Sequence, residues 1–206
     1  MAQAIVLAVI AGYADAAGFL RFDAFAGMMT GNTVLMGMAA ARHAPLASLG
    51  YGGLIAIFFA GALAARSLIQ LGRSPNFVFA IEAFLLIVTD AIGAGWAIVP
   101  LVVAMGVQST AMTQFHGVRL NTVFITGNLQ RFAEGLASRH GPRRKGHPMP
   151  PEGQGRIWIF GWVWLGYAAG AGFGAAGAEY LSWPLLIPVV LLGFVAWENR
   201  RAAGYA

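Results

Sequence analysis

The sequence predicts an all-α integral membrane protein built from two tandem repeats in inverted arrangement, with about six transmembrane helices and two broken or re-entrant half-helices. Three observations predict it. The chain of 206 residues is 58% hydrophobic and 10% charged, whereas ordinary soluble domains average roughly 45–50% and about 25%. Its apolar residues gather into eight long runs. The tripeptide Thr-Gly-Asn, better suited to a turn or a helix start than to the middle of a hydrocarbon-crossing segment, occurs once in each half, at 30–32 and 126–128.

In chain order the runs cover residues 3–20, 24–41, 48–71, 76–94, 96–115, 121–137, 156–178 and 182–198. Each approaches the roughly 20 residues that a helix needs to cross about 30 Å of hydrocarbon. No Lys or Arg precedes Leu20, so the positive leader of a secretory signal is missing and the first run is expected as a mature span. The second and sixth runs hold the two Thr-Gly-Asn tripeptides. The third, with "FFAGALAA" at 58–65, and the seventh, with "YAAGAGFG" at 167–174, are rich in small residues that let helices approach closely. Between the sixth and seventh lies 139–156, "RHGPRRKGHPMPPEGQGR", whose Pro, Gly and polar content marks it as the one flexible linker. Its basic charge places it in the cytoplasm by the positive-inside rule. It lacks interleaved aromatics, so the formal net charge of +5 does not point to nucleic acid.

The chain divides as a single membrane domain, 1–206, with repeat 1 at 1–94 and repeat 2 at 95–206. Thr30-Gly31-Asn32 is followed by Arg42-His43-Ala44-Pro45, and Thr126-Gly127-Asn128 by Arg139-His140-Gly141-Pro142. "GYADAAGF" from Gly12 faces "GVQSTAMTQF" from Gly106, which sets Asp15 against Ser109 with Gln108 beside it. Such duplication is common among transporter folds.

Thr and Asn favour helix starts because their side-chain oxygens accept bonds from the first free N–H groups, and Gly permits backbone geometry that other residues resist. About ten residues without Pro follow each tripeptide, enough for a rise of about 15 Å, half the hydrocarbon thickness. A helix that starts at the midplane leaves up to four donors unpaired, each costing several kcal/mol in lipid unless protein, water or a ligand satisfies it. Its start also carries about half a positive charge, suited to an anion or the electronegative end of a polar solute. The bland alternative is that Thr and Asn cap a kink and pack against small neighbours.

Charge bias separates two topologies. If all eight runs cross, eight basic residues (Arg42, Arg139, Arg143, Arg144, Lys145, Arg156, Arg200, Arg201) face four (Arg21, Arg66, Arg73, Arg119). If the second and sixth runs are re-entrant, the first group gains Arg66, Arg73 and Arg119 and loses Arg42, giving ten against two. The stronger bias favours six spans, inverted halves and cytoplasmic termini.

The segments "GYADAAGF", "MMTGNTVLMG", "GVQST" and "ITGNL", taken in this order and spacing, resemble the YoaK-like family of bacterial inner-membrane proteins. Members of that family show a GxxDA segment, a first TGN, a G-x-Q-N segment and a second TG motif. The resemblance covers nearly the whole chain and implies a six-span protein of the bacterial inner membrane. It brings no assigned activity. This chain departs from the pattern at Ser109, where Asn is more usual, so a role needing an amide at that position is in doubt.

The expected solute contacts are Asp15, Thr30, Gly31, Asn32, Gln108, Ser109, Thr126, Gly127 and Asn128. A carboxylate at the depth of Asp15 costs about 2.5–3.5 kcal/mol on insertion scales, so it needs a partner or a wet path. Thr30 and Asn32, or Gln108 and Ser109, are its candidates. Asp15, Glu82 and Asp90 are the candidates for proton uptake or gating, Glu82 being the deeper of the pair on the fourth run. Gln108, Ser109, Thr113 and Gln114 have spacings compatible with one wetted stripe. Gly166, Gly170 and Gly174 form a small-residue ridge, for which internal packing is the first expectation and a homodimer face the second. Trp96, Trp158, Trp183 and Trp197 fit anchoring at the bilayer interface.

With no cysteine, disulfides, thiolate metal sites and cysteine nucleophiles are excluded. His43 and His140 border the membrane and His116 and His147 are isolated, so no metal site or cofactor is expected. Ser109 and His116, seven apart, are too weak a pair to support catalysis. The expected function is a transporter or channel for a small polar or anionic solute, with proton coupling through Asp15. A non-transporting membrane subunit or scaffold, packing through the glycine ridge, is the alternative.

Overall fold

Glycine and alanine on facing helices set the architecture, because they let two backbones touch without leaving voids in the middle of an apolar chain. A computed structural model describes residues 1–93, 95–111, 114–115, 118–119, 125–140 and 157–203. The helices are α1 (Ala2–Phe22), α2 (Met29–Ala41), α3 (Pro45–Gln70), α4 (Pro75–Ile92), α5 (Ile98–Ala111), α6 (Ile125–His140), α7 (Ile157–Tyr180) and α8 (Leu186–Ala203). A 3-10 turn, Gly95–Ala97, precedes α5, and a minimal antiparallel ladder pairs Gln114–Phe115 with Val118–Arg119. The protein is thus a helical membrane protein. Four helices, α1, α3, α4 and α7, are long and apolar enough to cross a bilayer, and Gly95–Ala111 is a shorter apolar segment.

Local signals place the ends. Ser74 caps α4 by accepting from the Phe77 N–H at 3.3 Å, Pro75 opens it, and Gly93 closes it at φ 74° with its N–H on the Thr89 carbonyl. That is the usual division between an N-terminal hydroxyl cap and a C-terminal left-handed glycine. The exterior is apolar: Phe59, Phe84, Phe173 and Val190 are exposed, while Asp15, Asn32, Glu82, Asp90 and Gln108 are buried. Polar groups inside and large apolar groups outside is the distribution expected against lipid. Trp96, Trp158, Trp183 and Trp197 are exposed as well, in or next to helix-terminal segments.

Close contacts fix the directions of the helices. On α7, Gly166 meets Ile5, Gly170 meets Val9 and Gly174 meets Tyr13 of α1, a constant offset (166−5, 170−9, 174−13) that makes the pair parallel. A Cβ at Gly170 would collide with the Val9 backbone, and one at Gly174 with that of Tyr13. The ridge is therefore buried against α1, which meets the first expectation for it. The second expectation is corrected: a face packed backbone to backbone inside the chain is not free for a homodimer.

Asn199 of α8 donates to Asn76 of α4 at 3.1 Å, and the N–H of Leu185, just before α8, donates to Asp90 at 2.8 Å. These two bonds make α4 and α8 antiparallel. Gln3 bonds Asn199 at 2.8 Å and Arg21 bonds Asp90 at 2.9 Å, so α1 runs in the direction of α4. We call the end marked by Gln3, Asn76 and Asn199 the amino face, and the end marked by Arg21, Asp90 and Leu185 the far face. The start of α3 belongs to the far face, where the Tyr51 hydroxyl donates to the Asp23 carbonyl at 3.1 Å. Helices α1 and α4 each pack against both α5 and α8, which makes these four the inner group. Helix α2 lies on α3, and α6 on α7.

Candidate functional site: polar groups inside the bundle

The chain leaves α1 through Asp23, in left-handed conformation at φ 53°, and turns back along the helix it has just left. Gly18 allows this return, since a Cβ there would press to 3.2 Å on the Ala24 carbonyl oxygen and 3.4 Å on the Ala26 nitrogen. Phe25 stacks on Phe19 with centroids 4.7 Å apart. The returning strand ends beside Asp15, three residues past the middle of α1, where α2 starts. Helix α2 then runs back toward the far face, because Ala41 is joined to the start of α3 by residues 42–44.

Asp15 is 2% exposed. Its Oδ1 accepts from the N–H groups of Gly27 (2.6 Å) and Met28 (3.0 Å), and its Oδ2 from the Tyr167 hydroxyl of α7 (2.7 Å). Its bonds thus go to none of the four partners expected from the sequence, Thr30, Asn32, Gln108 and Ser109. The donors just before a helix start are the groups that most need an acceptor at depth, and this carboxylate supplies one. It also places acceptor oxygens at the positive end of the α2 dipole.

Asn32 is fully buried and grips the same tetrapeptide from the other side. Its Oδ1 accepts from the Phe25 N–H at 2.9 Å and its Nδ2 donates to the Phe25 carbonyl at 2.8 Å. The expectation that Thr30 and Asn32 cap α2 is therefore corrected. Helix α2 starts at Met29 with Met28 at the cap position and no side-chain cap bond, so the tripeptide lies inside its first turn. Thr30 is exposed and Gly31 packs against the Phe25 ring, 2.7 Å from a Cβ placed there. Asp15 and Asn32 together hold residues 25–28 from two sides.

The second tripeptide matches the first in exposure at its Thr and Asn but not at its Gly. Helix α6 starts at Ile125, Thr126 and Gly127 are exposed, and Asn128 is 3% exposed. A Cβ at Gly127 would meet nothing within 4 Å. Phe132 lies against Gly161, and Gly135 against Ile157, so α6 is antiparallel to α7 and its start lies level with the middle of that helix. The segment 121–124 before it, and 141–156 of the expected linker, lie outside the described residues.

Gln108 donates to the Leu7 carbonyl at 2.8 Å, tying α5 to α1, and Ser109 donates to the Gly106 carbonyl of its own helix at 2.7 Å. The stripe expected to continue through Thr113 and Gln114 breaks, because α5 ends at Ala111 and Gln114 belongs to the short ladder. Thr113 lies outside the described residues. Asp90 is 7% exposed, ion-paired to Arg21 at 2.9 Å and bonded to the Leu185 N–H, so it joins three helix ends at the far face. Glu82 is fully buried, and neither of its oxygens has a hydrogen-bond partner among the described residues.

Tyr167 and Arg21 are the functional groups that sequence reasoning did not single out. Tyr167 sits in the small-residue segment "YAAGAGFG", the one large polar side chain in that stretch. That contrast was the available signal. Arg21 lies 69 residues from Asp90, and no local pattern links them.

Comparison with known proteins agrees with this helical membrane architecture. The family described as "Protein of unknown function (DUF1275)" matches residues 3–197. The chain is similar to the "UPF0700 transmembrane protein YoaK" of Bacillus subtilis (strain 168), with 26% identity over 150 residues. That alignment covers 65% of this chain and 66% of the relative, just under two thirds of its length. No solved structure matches. A family match that runs over residues 3–197, nearly the whole chain and all the helices described, makes this protein a member of the DUF1275 family, consistent with a YoaK-like membrane protein.

Proposed function

We propose that the protein is a transporter or channel for a small polar or anionic solute, with six spans, two re-entrant half-helices and inverted halves. One observation carries the reading: Asp15 holds the start of α2 inside the bundle, and α2 leaves by the face through which the chain entered. The start of α6, level with the middle of α7, is its counterpart from the amino face. Irregular backbone at such depth is tolerated where it is buried in protein or lines a polar path.

Matched contacts support the inverted repeat. Adding 94 carries Val9 and Gly12 of α1 onto Val103 and Gly106 of α5; adding 109 carries Phe58, Gly61 and Ala62 of α3 onto Tyr167, Gly170 and Ala171 of α7. Gly12 touches Tyr167 and Ala171 as Gly106 touches Phe58 and Ala62, and Gly170 touches Val9 as Gly61 touches Val103. Likewise the Asn76 to Asn199 bond corresponds to the Leu185 to Asp90 bond (76+109, 90+109). Among the described residues, Arg66, Arg73, Arg139, Arg200 and Arg201 belong to the amino-face ends of the helices against Arg21 and Arg42 at the far face, a bias that supports cytoplasmic termini in a bacterial inner membrane.

Within this reading Asp15, Asn32 and Asn128 shape the half-helices. Thr30, Thr126 and Gly127 are the groups exposed for a solute. Asp15 already accepts from the donors just before α2, so an anionic solute is better served by α6, where the residue in the place of Asp15 is Ser109. The scaffold alternative relied on the glycine ridge, which packs against α1.

The test is stopped-flow light scattering on proteoliposomes challenged with glycerol, urea, formate and nitrate. At least one solute should move faster than through protein-free vesicles, and Thr30→Val with Thr126→Val should slow it. If none of the four moves faster while the inserted protein is folded, the transport reading is lost.

A further inference from the structure

Three fully buried residues on three helices of the inner group each hold an oxygen without a hydrogen-bond partner among the described residues: the Tyr13 hydroxyl on α1, both carboxyl oxygens of Glu82 on α4, and Oε1 of Gln108 on α5. Their depths are fixed by the bonds at the helix ends. Glu82 lies six residues after Asn76, which marks the amino face, and eight before Asp90, which marks the far face. It is therefore at mid-depth. The same two faces are marked on α1 by Gln3 and Arg21, so mid-depth there falls near Gly12, next to Tyr13. Gln108 is tied to Leu7, five residues from Gly12, a rise of about 7.5 Å.

The side chain of Glu82 sits in the buried stripe of α4 formed with Val78, Phe79, Leu86 and Thr89, and α4 packs on α5 and α8. No charge on these neighbours is placed to pair with it. Described α5 and the 3-10 turn carry no titratable residue; those of α8 (Glu198, Arg200, Arg201) lie in its last turns, toward the amino face; α3 offers exposed Arg66 and Tyr51, whose hydroxyl is bonded to the Asp23 carbonyl at the far face. On α1, the titratable groups Asp15 and Arg21 are already bonded elsewhere, and the Tyr13 hydroxyl lies against Gly177 of α7.

The other two carboxyls inside the bundle have donors: Asp15 accepts two N–H bonds and one O–H bond, and Asp90 pairs with Arg21 and accepts the Leu185 N–H. Glu82 has no such partner among the described residues. An ionised Glu82 would leave two buried acceptor oxygens without donors among the described residues, and buried acceptors without donors are costly. One proton converts the carboxylate into a donor and removes the charge.

We propose that Glu82 is a proton-binding site at the centre of the protein. Its carboxylate takes a proton from hydronium, leaving water, and returns that proton to water when a second conformation wets mid-depth. This rests on the transport reading only for the use of the proton, as the ion coupled to solute movement; it moves that role from Asp15 to Glu82.

Infrared difference spectroscopy of the full chain in lipid nanodiscs tests the site without a solute. Wild type at neutral pH should show the C=O stretch of a protonated carboxylic acid, diminishing as pH is raised and returning on re-acidification. The band should vanish in Glu82→Gln, persist in Asp15→Asn, and return, shifted in pH, in Glu82→Asp. Absence of the band from wild type, its survival in Glu82→Gln, or a band that never titrates would overturn the proposal. A titrating Glu82 band in a protein that moves none of the four solutes would end the transport reading and leave the proton site standing.

Discussion

Replacing Asp15 by alanine removes the acceptor for the Gly27 and Met28 N–H groups and for the Tyr167 hydroxyl in one step. A buried donor left without a partner costs about 1–3 kcal/mol, so three of them sum to about 3–9 kcal/mol. Hydrogen bonds measured in a membrane protein average about 0.6 kcal/mol with a maximum near 1.7, because the unfolded chain in the bilayer also finds partners. Three bonds at that scale sum to about 2–5 kcal/mol, and we expect a loss of about 3 kcal/mol for Asp15→Ala. Asp15→Asn keeps an oxygen for the two backbone donors and can turn its amide toward the Tyr167 oxygen, so its loss should be about 1 kcal/mol. Against a typical total of about 5–15 kcal/mol the difference is readable. The assay is SDS-driven unfolding in mixed micelles, with hydrogen exchange at residues 25–28 as the local readout. Equal stability of Asp15→Ala and wild type, with unchanged protection at 25–28, would show that the carboxylate does not hold the start of α2.

Asn32→Ala should cost about 1–3 kcal/mol by orphaning both backbone groups of Phe25, whereas exposed Thr30→Val should unfold at the wild-type SDS fraction; equal loss in both would contradict the assigned roles. Gly170→Leu should prevent α1 and α7 from closing and yield aggregated protein on gel filtration, while Gly172→Leu, with nothing within 4 Å, should behave as wild type. Arg21→Met leaves the buried Asp90 carboxylate without its cation and should cost about 3–5 kcal/mol, recovered in part by Asp90→Asn in the same chain, as followed by SDS unfolding. Because the chain has no cysteine, Ala44→Cys and Ser138→Cys can be labelled with an impermeant maleimide; labelling from opposite sides agrees with inverted halves, and labelling from one side with eight crossings.

The positions of the helices were legible in the sequence to within a few residues, since hydrocarbon length and apolar composition act on each segment alone. The run at 76–94 is α4 at Pro75–Ile92, and the run at 156–178 is α7 at Ile157–Tyr180. The Ser74-Pro75 start and the Gly93 stop are local chemistry as well. Partners were not legible. The tripeptide suggested side chains capping their own helix, yet the acceptor for the donors before α2 is Asp15, twelve residues away on a neighbouring helix, because the returning strand needs depth before α2 can start. Its third bond comes from Tyr167, 152 residues along the chain.

That this is a helical membrane protein with polar residues stranded in apolar surroundings can be read from the residues alone: composition and run length are properties of single segments, and no fold is needed to read them. Which carboxyls find donors depends instead on how the helices pack. Asp15, Glu82 and Asp90 look alike along the chain, but the packing of α1, α4, α7 and α8 gives donors to the first and last, and among the described residues gives Glu82 none. That difference arises from where other helices place their donors, and such long-range geometry leaves no trace in the residues next to each acid.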